Sequence, residues 1–296
     1  MANLRDIRDR ISSVKSTQQI TKAMKMVAAA RLRKAQDRIM ETRPYVAGLQ
    51  SVLEKLSQNS QGGNQYMQPV EEPEHLLLVI VSSDRGLCGG FNSNLFRYIT
   101  DTLAADFPAF QKDKKLSIVT IGRKANEFFS KRGYNVIETH DGFFDNVTFD
   151  KAADIMNRVR KKFESGTYDN VFIAYNEFKS VIAQNRKFYQ VLPISVDEEQ
   201  EKDLTPADGI DYIFEPDSET ILDRIIPLHV NMQLWRALLE SNAAEQGARM
   251  AAMDNATENA GEIIDSLNLT YNKARQAAIT KELSEIVSGA EALNAS

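Results

Sequence analysis

The chain has one cysteine, one tryptophan and three histidines in 296 residues, and its longest uninterrupted aliphatic run is Leu76 to Val81. A single cysteine, Cys88, excludes an internal disulfide and fits a reducing compartment, and it reads as a small turn residue before it reads as a reactive thiol. The aliphatic run is far short of the roughly 20 residues that a membrane helix needs. The opening "MANLRDIRDR" lacks the apolar stretch of a secretory signal, and its two acidic residues suit a transit peptide poorly. A cytosolic chain beginning near its natural N-terminus is expected. His75, His140 and His229 are far apart and none forms an H-E-x-x-H pair, and no G-x-S-x-G elbow occurs, so no metal site and no catalytic group is predicted. No internal repeat is present.

What is present is divided by charge. Residues 1–43 hold 11 Lys and Arg against four Asp and Glu, a local +7, within a chain of net charge −5. A basic arm on an otherwise acidic protein can bind nucleic acid or an acidic protein surface. The arm has no aromatic residue on which a base could stack, which weakens the nucleic-acid reading.

Residues 3–58 contain proline only at 44 and glycine only at 48 and are rich in good helix formers. Steps of three and four run through Leu4, Ile7, Ile11 and Val14, then Gln18, Thr21, Lys25 and Ala28, then Leu32, Ala35 and Ile39 and on to Leu56. The heptad keeps its phase while its middle turns polar. A matching series runs from Leu228 through Met232, Trp235, Leu239, Asn242, Gln246 and Arg249 to Met253, Ala256, Ala260, Ile263 and Leu267. It is expected to slip beyond Ala274 into a new stripe at Leu283, Ile286, Ala290 and Leu293. Asp217 or Ser218 offers an N-cap, and Pro227 should bend or interrupt the first stretch. At about 1.5 Å per residue these helices would reach about 80 and 100 Å, too long for a globule. The simplest arrangement buries the two seams against each other as an antiparallel coiled coil.

The middle alternates β-rich runs at 75–83, 115–122, 134–139 and 170–178 with helical candidates at 93–106, 123–132 and 149–165, and a further strand is expected at 187–194. That alternation predicts a mainly parallel sheet flanked by helices. The expected fold class is therefore α/β: a long antiparallel coiled coil of the terminal helices, 1–58 and 218–296, plus a central Rossmann-like domain at 75–196. The polar stretch 57–74 is a linker into this domain, and the acidic 197–209 is a loop out of it.

"VIVSSDRGLCGGFNSNLF", residues 79–96, is the one lead to a ligand: strand, glycine-rich turn, helix. Amides of such a turn can cradle phosphate. Its glycines, however, match neither G-x-G-x-x-G nor the P-loop pattern, and no Lys-Ser/Thr pair follows. A tight turn, or a partner contact through Asp84 and Arg85, competes with a nucleotide site. Two alternatives stay open on the residues alone: a nucleotide-binding regulator with a dimerisation arm, and a nucleic-acid-binding coiled coil.

Two stretches are far more specific. "STQQITKAMKMVAAARLRKAQDR" at 16–38 and "YNKARQAAITKELSEIVSGAEAL" at 271–293, supported by "SSDRGLCGGFN", "IAYNEFKSVIAQ" and "YIFEP", resemble the γ subunits of F-type ATP synthases over essentially the whole chain. The resemblance implies a non-catalytic rotor subunit that transmits torque between a membrane c-ring and the catalytic ring of α and β subunits. Its implied partners are α, β, ε and the c-ring, with no cofactor and no nucleic acid. Its implied location is the cytoplasmic face of the cell membrane, as a peripheral protein. It places Met24 and Lys25 near the β subunits' lever. It places Arg275, Gln276, Thr280 and Glu282 in a polar catch for a β loop, and Leu283, Ile286 and Leu293 in an apolar tip. A partner-contact role for Arg85 also rests on the resemblance alone.

Overall fold

The computed structural model describes residues 4–59, 64–112, 115–194 and 217–294, with the side chains of 54, 57–59, 111, 112, 218 and 291–294 excepted. The chain forms two compact units, one of residues 1–27 with 250–296 and the other of residues 28–249. Two long helices, α1 (Leu4–Asn59) and α6 (Ser218–Asn294), contribute to both.

In the larger unit, β1 (Leu76–Val81) leads through a turn to α2 (Phe91–Asp106) and the short α3 (Pro108–Lys112). Then come β2 (Leu116–Ile121), α4 (Arg123–Lys131), β3 (Asn135–His140), α5 (Phe149–Glu164), β4 (Asn170–Phe178) and β5 (Gln184–Leu192). The strand order is β3-β2-β1-β4-β5. The first four strands are parallel, and β5 returns antiparallel to β4. Asn185, Arg186 and Lys187 of this edge strand are exposed, and charge suits an edge that must not pair further.

Every residue of β1 is buried, because the strand is central and covered on both faces. Leu76, Leu78 and Ile80 meet Leu95, Ile99 and Leu103 of α2 and Phe129 of α4. Leu77, Val79 and Val81 join Ile155 and Met156 of α5 with Leu53 and Leu56 of α1 and Leu222, Ile226 and Leu234 of α6. Burial of each such side chain is worth about 1.5–3 kcal/mol, so the continuous apolar run of β1 anchors both layers. The part of α6 in this unit is buried almost all round because it packs on α1 and on the sheet domain at once.

Asp217 is the N-cap of α6, accepting hydrogen bonds from the Thr220 amide at 2.8 Å and the Thr220 hydroxyl at 2.8 Å. Those bonds hold its carboxyl below the usual range. Of the two outcomes expected at Pro227, a bend or an interruption, the interruption does not occur, and α6 runs on through it. Burial of Leu222 and Ile226 before the proline and Val230 and Leu234 after it holds both turns in place. The acidic stretch 197–209 and "YIFEP" lie outside the described residues. Among the described residues, no helix is long and apolar enough to cross a membrane.

Candidate functional site

In the smaller unit the two helical segments run antiparallel and meet through polar groups. Arg8 donates to the Tyr271 hydroxyl at 2.8 Å with its guanidinium over the ring at 5.7 Å, and this contact raises the Arg8 pKa. Gln18 donates to the Thr257 carbonyl at 3.3 Å, Thr21 and Thr257 share a hydroxyl hydrogen bond of 2.7 Å, and Lys25 pairs with Asp254 at 2.5 Å. Gly261 leaves room for Gln18: a Cβ there would stand 3.2 Å from its Nε2. The polar middle of the heptad is thus a ladder of directional contacts that fixes register where apolar packing is thin.

On α6 the inward positions are Met253, Thr257, Ala260, Ile264, Leu267, Tyr271, Ala274 and Ala278, an unbroken series in steps of three and four. This corrects the sequence expectation at two points. Thr257 and Ile264 take the seam in place of Ala256 and Ile263, the latter being 46% exposed. The series continues one step past Ala274, to Ala278, and residues 279–290 are all exposed. Both choices of phase offer one apolar residue per turn, and the Thr257 bond to Thr21 favours the observed one.

Met24 is half-buried, and Lys25 is drawn into its intrachain pair with both side chains partly exposed. Arg275, Gln276, Thr280, Glu282, Leu283 and Ile286 are all exposed on α6. Leu283 and Ile286, with Ile279 and Val287, make that surface apolar as well as polar. The Leu293 side chain lies outside those described. Some 20 residues, about 30 Å of helix, separate Lys25's partner Asp254 from this group, so the two sets of candidates form separate surfaces.

Arg85 belongs to the larger unit, in the turn after β1. Its side chain is 71% exposed and pairs with Asp145 at 3.3 Å, an arrangement worth little at a wet surface. The turn is built rigidly. Asp84 accepts from the amides of Arg123, Gly142 and Phe144, and Asn92 donates to Ser83 Oγ at 2.7 Å while accepting from the Ser83 amide. Folds of this strand order take their ligands where the order reverses, here between the carboxyl ends of β1 and β4. That crevice is filled by α6. Ala244 packs with Cys88 and Phe91, Glu240 accepts from the Phe178 amide at 3.1 Å, and Arg249 donates to the carbonyls of Arg85 and Gly86. Burial raises the Cys88 thiol and the carboxyls of Glu240 and Glu245. Among the described residues no group of three His, Cys, Asp or Glu is arranged to hold a metal.

The ATP synthase family model matches residues 3–293. The ATP synthase gamma chain of Chlorobaculum parvum is 50% identical over 99% of both chains, and that of Chlorobaculum tepidum is 49% identical over the same shares. The chain belongs to the ATP synthase gamma-chain family. Among solved structures, the central stalk and c-ring of the Tetrahymena thermophila mitochondrial ATP synthase contains a chain 27% identical to this one, with a TM-score of 0.59 over 80% of this chain and 99% of that one. The rotor of the Euglena gracilis mitochondrial ATP synthase shares the fold at 21% identity, with a TM-score of 0.68 over 93% and 98%.

As a gamma-chain relative the protein carries features that its sequence disclosed only partly. Asp254, Thr257 and Tyr271 carry no motif of their own in the sequence, and only the pairing of the helices brings them to Lys25, Thr21 and Arg8. The heptad count in the sequence runs through Arg249 as an ordinary seam position, and only the packed helix shows it paired with Glu245.

Proposed function

We propose that the chain is the central-stalk subunit of an F-type ATP synthase, carrying torque between the membrane c-ring and the catalytic ring of α and β subunits. Family relationship along the whole chain carries this reading, since it includes both terminal helices and the sheet domain. The chain itself is a non-catalytic component. Its partners in this reading are α, β, ε and the c-ring, and its place is the cytoplasmic face of the membrane, held there by those partners.

Within this proposal the exposed Arg275, Gln276, Thr280 and Glu282 form hydrogen bonds with a loop of β, and Leu283, Ile286 and Leu293 turn in an apolar bearing. Met24 and Lys25 meet the lever of β, and Arg85 touches a partner from the turn after β1. A rotating subunit works by contacting three conformations of β unequally, because only a difference in binding free energy between states shifts their populations. Directional polar contacts suit this role better than apolar ones, since they are lost over a small displacement.

The test is ATP hydrolysis by purified α and β subunits with and without this chain, with co-elution measured in parallel. Stable incorporation with stimulated hydrolysis is expected. A chain that elutes alone and leaves hydrolysis unchanged would overturn the reading.

A further inference from the structure

Arg249 and Glu245 form the most deeply buried ion pair among the described residues, with side chains 11% and 6% exposed and an Nη1–Oε1 distance of 2.6 Å. Arg249 also donates through Nη2 to the carbonyls of Arg85 at 3.3 Å and Gly86 at 3.2 Å. The next residue, Leu87, has φ of 62° and is 65% exposed, so a branched side chain sits in a backbone region that favours glycine and gains nothing from burial. Such a conformation persists only where its surroundings fix it. Asn92 and Ser83 brace the turn from within, and from α6 the guanidinium adds hydrogen bonds to the small apolar contact at Ala244.

We infer that the Glu245–Arg249 pair is a clamp that fixes the β1–α2 turn to α6, so that the exposed tip at Arg85 and Leu87 moves with the helix as one body. The inference rests on the rotor reading for its purpose and on residues 28–249 alone for its geometry. The apolar contact between turn and helix is small, made by Cys88, Phe91 and Ala244 with Phe178 and Ala248 at its margin, and apolar surfaces resist sideways sliding weakly. A planar guanidinium bonded at once to a carboxylate and two carbonyls resists displacement in several directions. Glu245 in turn keeps the Arg249 charge paired where water is excluded. Arg249 and Glu245 are therefore positioning residues, acting through the turn they hold.

Arg249→Met alone would strand a buried carboxylate, so the test variant is Glu245→Gln with Arg249→Met, which removes the fork without leaving a charge. Cys88, 2% exposed and the only cysteine, reports on the turn directly. Its alkylation rate in the isolated full chain should rise tenfold or more in the double variant and by less in Arg249→Lys. Leu103→Ala, a core truncation in α2, should lower the melting temperature without that rise. In the reconstituted holoenzyme, the ratio of ATP-driven proton pumping to ATP hydrolysis should fall at least threefold in the double variant, with Arg249→Lys intermediate and Leu103→Ala unchanged. Unaltered Cys88 protection would overturn the clamp, and so would an unaltered ratio or a fall matched by Leu103→Ala. No pumping with the unsubstituted chain would count against the rotor reading, and the alkylation rates would still decide the clamp.

Discussion

Gly122 has φ of 99°, and a Cβ there would stand 2.3 Å from the Ser82 carbonyl oxygen. Gly122→Ala is expected to cost at least about 2 kcal/mol, seen as a lowered melting temperature, because both the backbone conformation and the close approach of β1 forbid the methyl group. His229 titrates in a similarly closed setting. Burial lowers its pKa from 6.5 to about 4, and the Gln233 amide donates to Nε2 of the neutral ring at 3.1 Å. The unfolded chain binds this proton more readily, so the contribution is complete above pH 6.5 and is lost as pH falls toward 4, by up to about 3 kcal/mol. Thermal melts at pH 7 and pH 4.5 should show a smaller acid-induced loss in His229→Gln than in the unsubstituted chain. Neither residue announced itself in the sequence. A glycine after a strand and a histidine on a helix are ordinary until the approaching β1 and the surrounding core are known.

The helices and strands, by contrast, were largely legible. Good helix formers through residues 3–58 and the alternation of short β-rich runs are local properties, and they locate α1 and the strands within a few residues. Phase along α6 was less legible, because Ala256 and Thr257, or Ile263 and Ile264, fit a count of threes and fours equally well. The hydrogen bond between Thr21 and Thr257 decides it, and only the pairing of the helices reveals that. Thr21→Val or Thr257→Val alone should destabilise the smaller unit by about 1 kcal/mol by removing the shared bond, although the remaining hydroxyl keeps its bond to the Gln18 or Met253 carbonyl, whereas the double replacement should cost less than the sum of the two singles. Thermal melts followed by circular dichroism give this cycle. A double variant as costly as the sum of the two singles would show that the pair contributes no coupling.

In the whole molecule the surfaces offered to partners were the least legible feature, because exposure on a helix says nothing about what covers it. Arg275, Gln276, Thr280 and Glu282 owe their candidacy to family resemblance, and the structure adds that they are exposed on α6. Gln276→Ala and Thr280→Ala should therefore leave the melting temperature within the range of ordinary surface changes, about ±0.5 kcal/mol, while reducing coupled ATP synthesis several-fold. Equal synthesis by variant and unsubstituted chains would remove these residues from the mechanism. The torque claim is tested most directly by watching the chain turn. A probe attached at Lys131→Cys, with Cys88→Ser, in a surface-immobilised complex of α and β subunits should rotate in one direction when ATP is added. Continued ATP hydrolysis with a stationary probe would contradict the account.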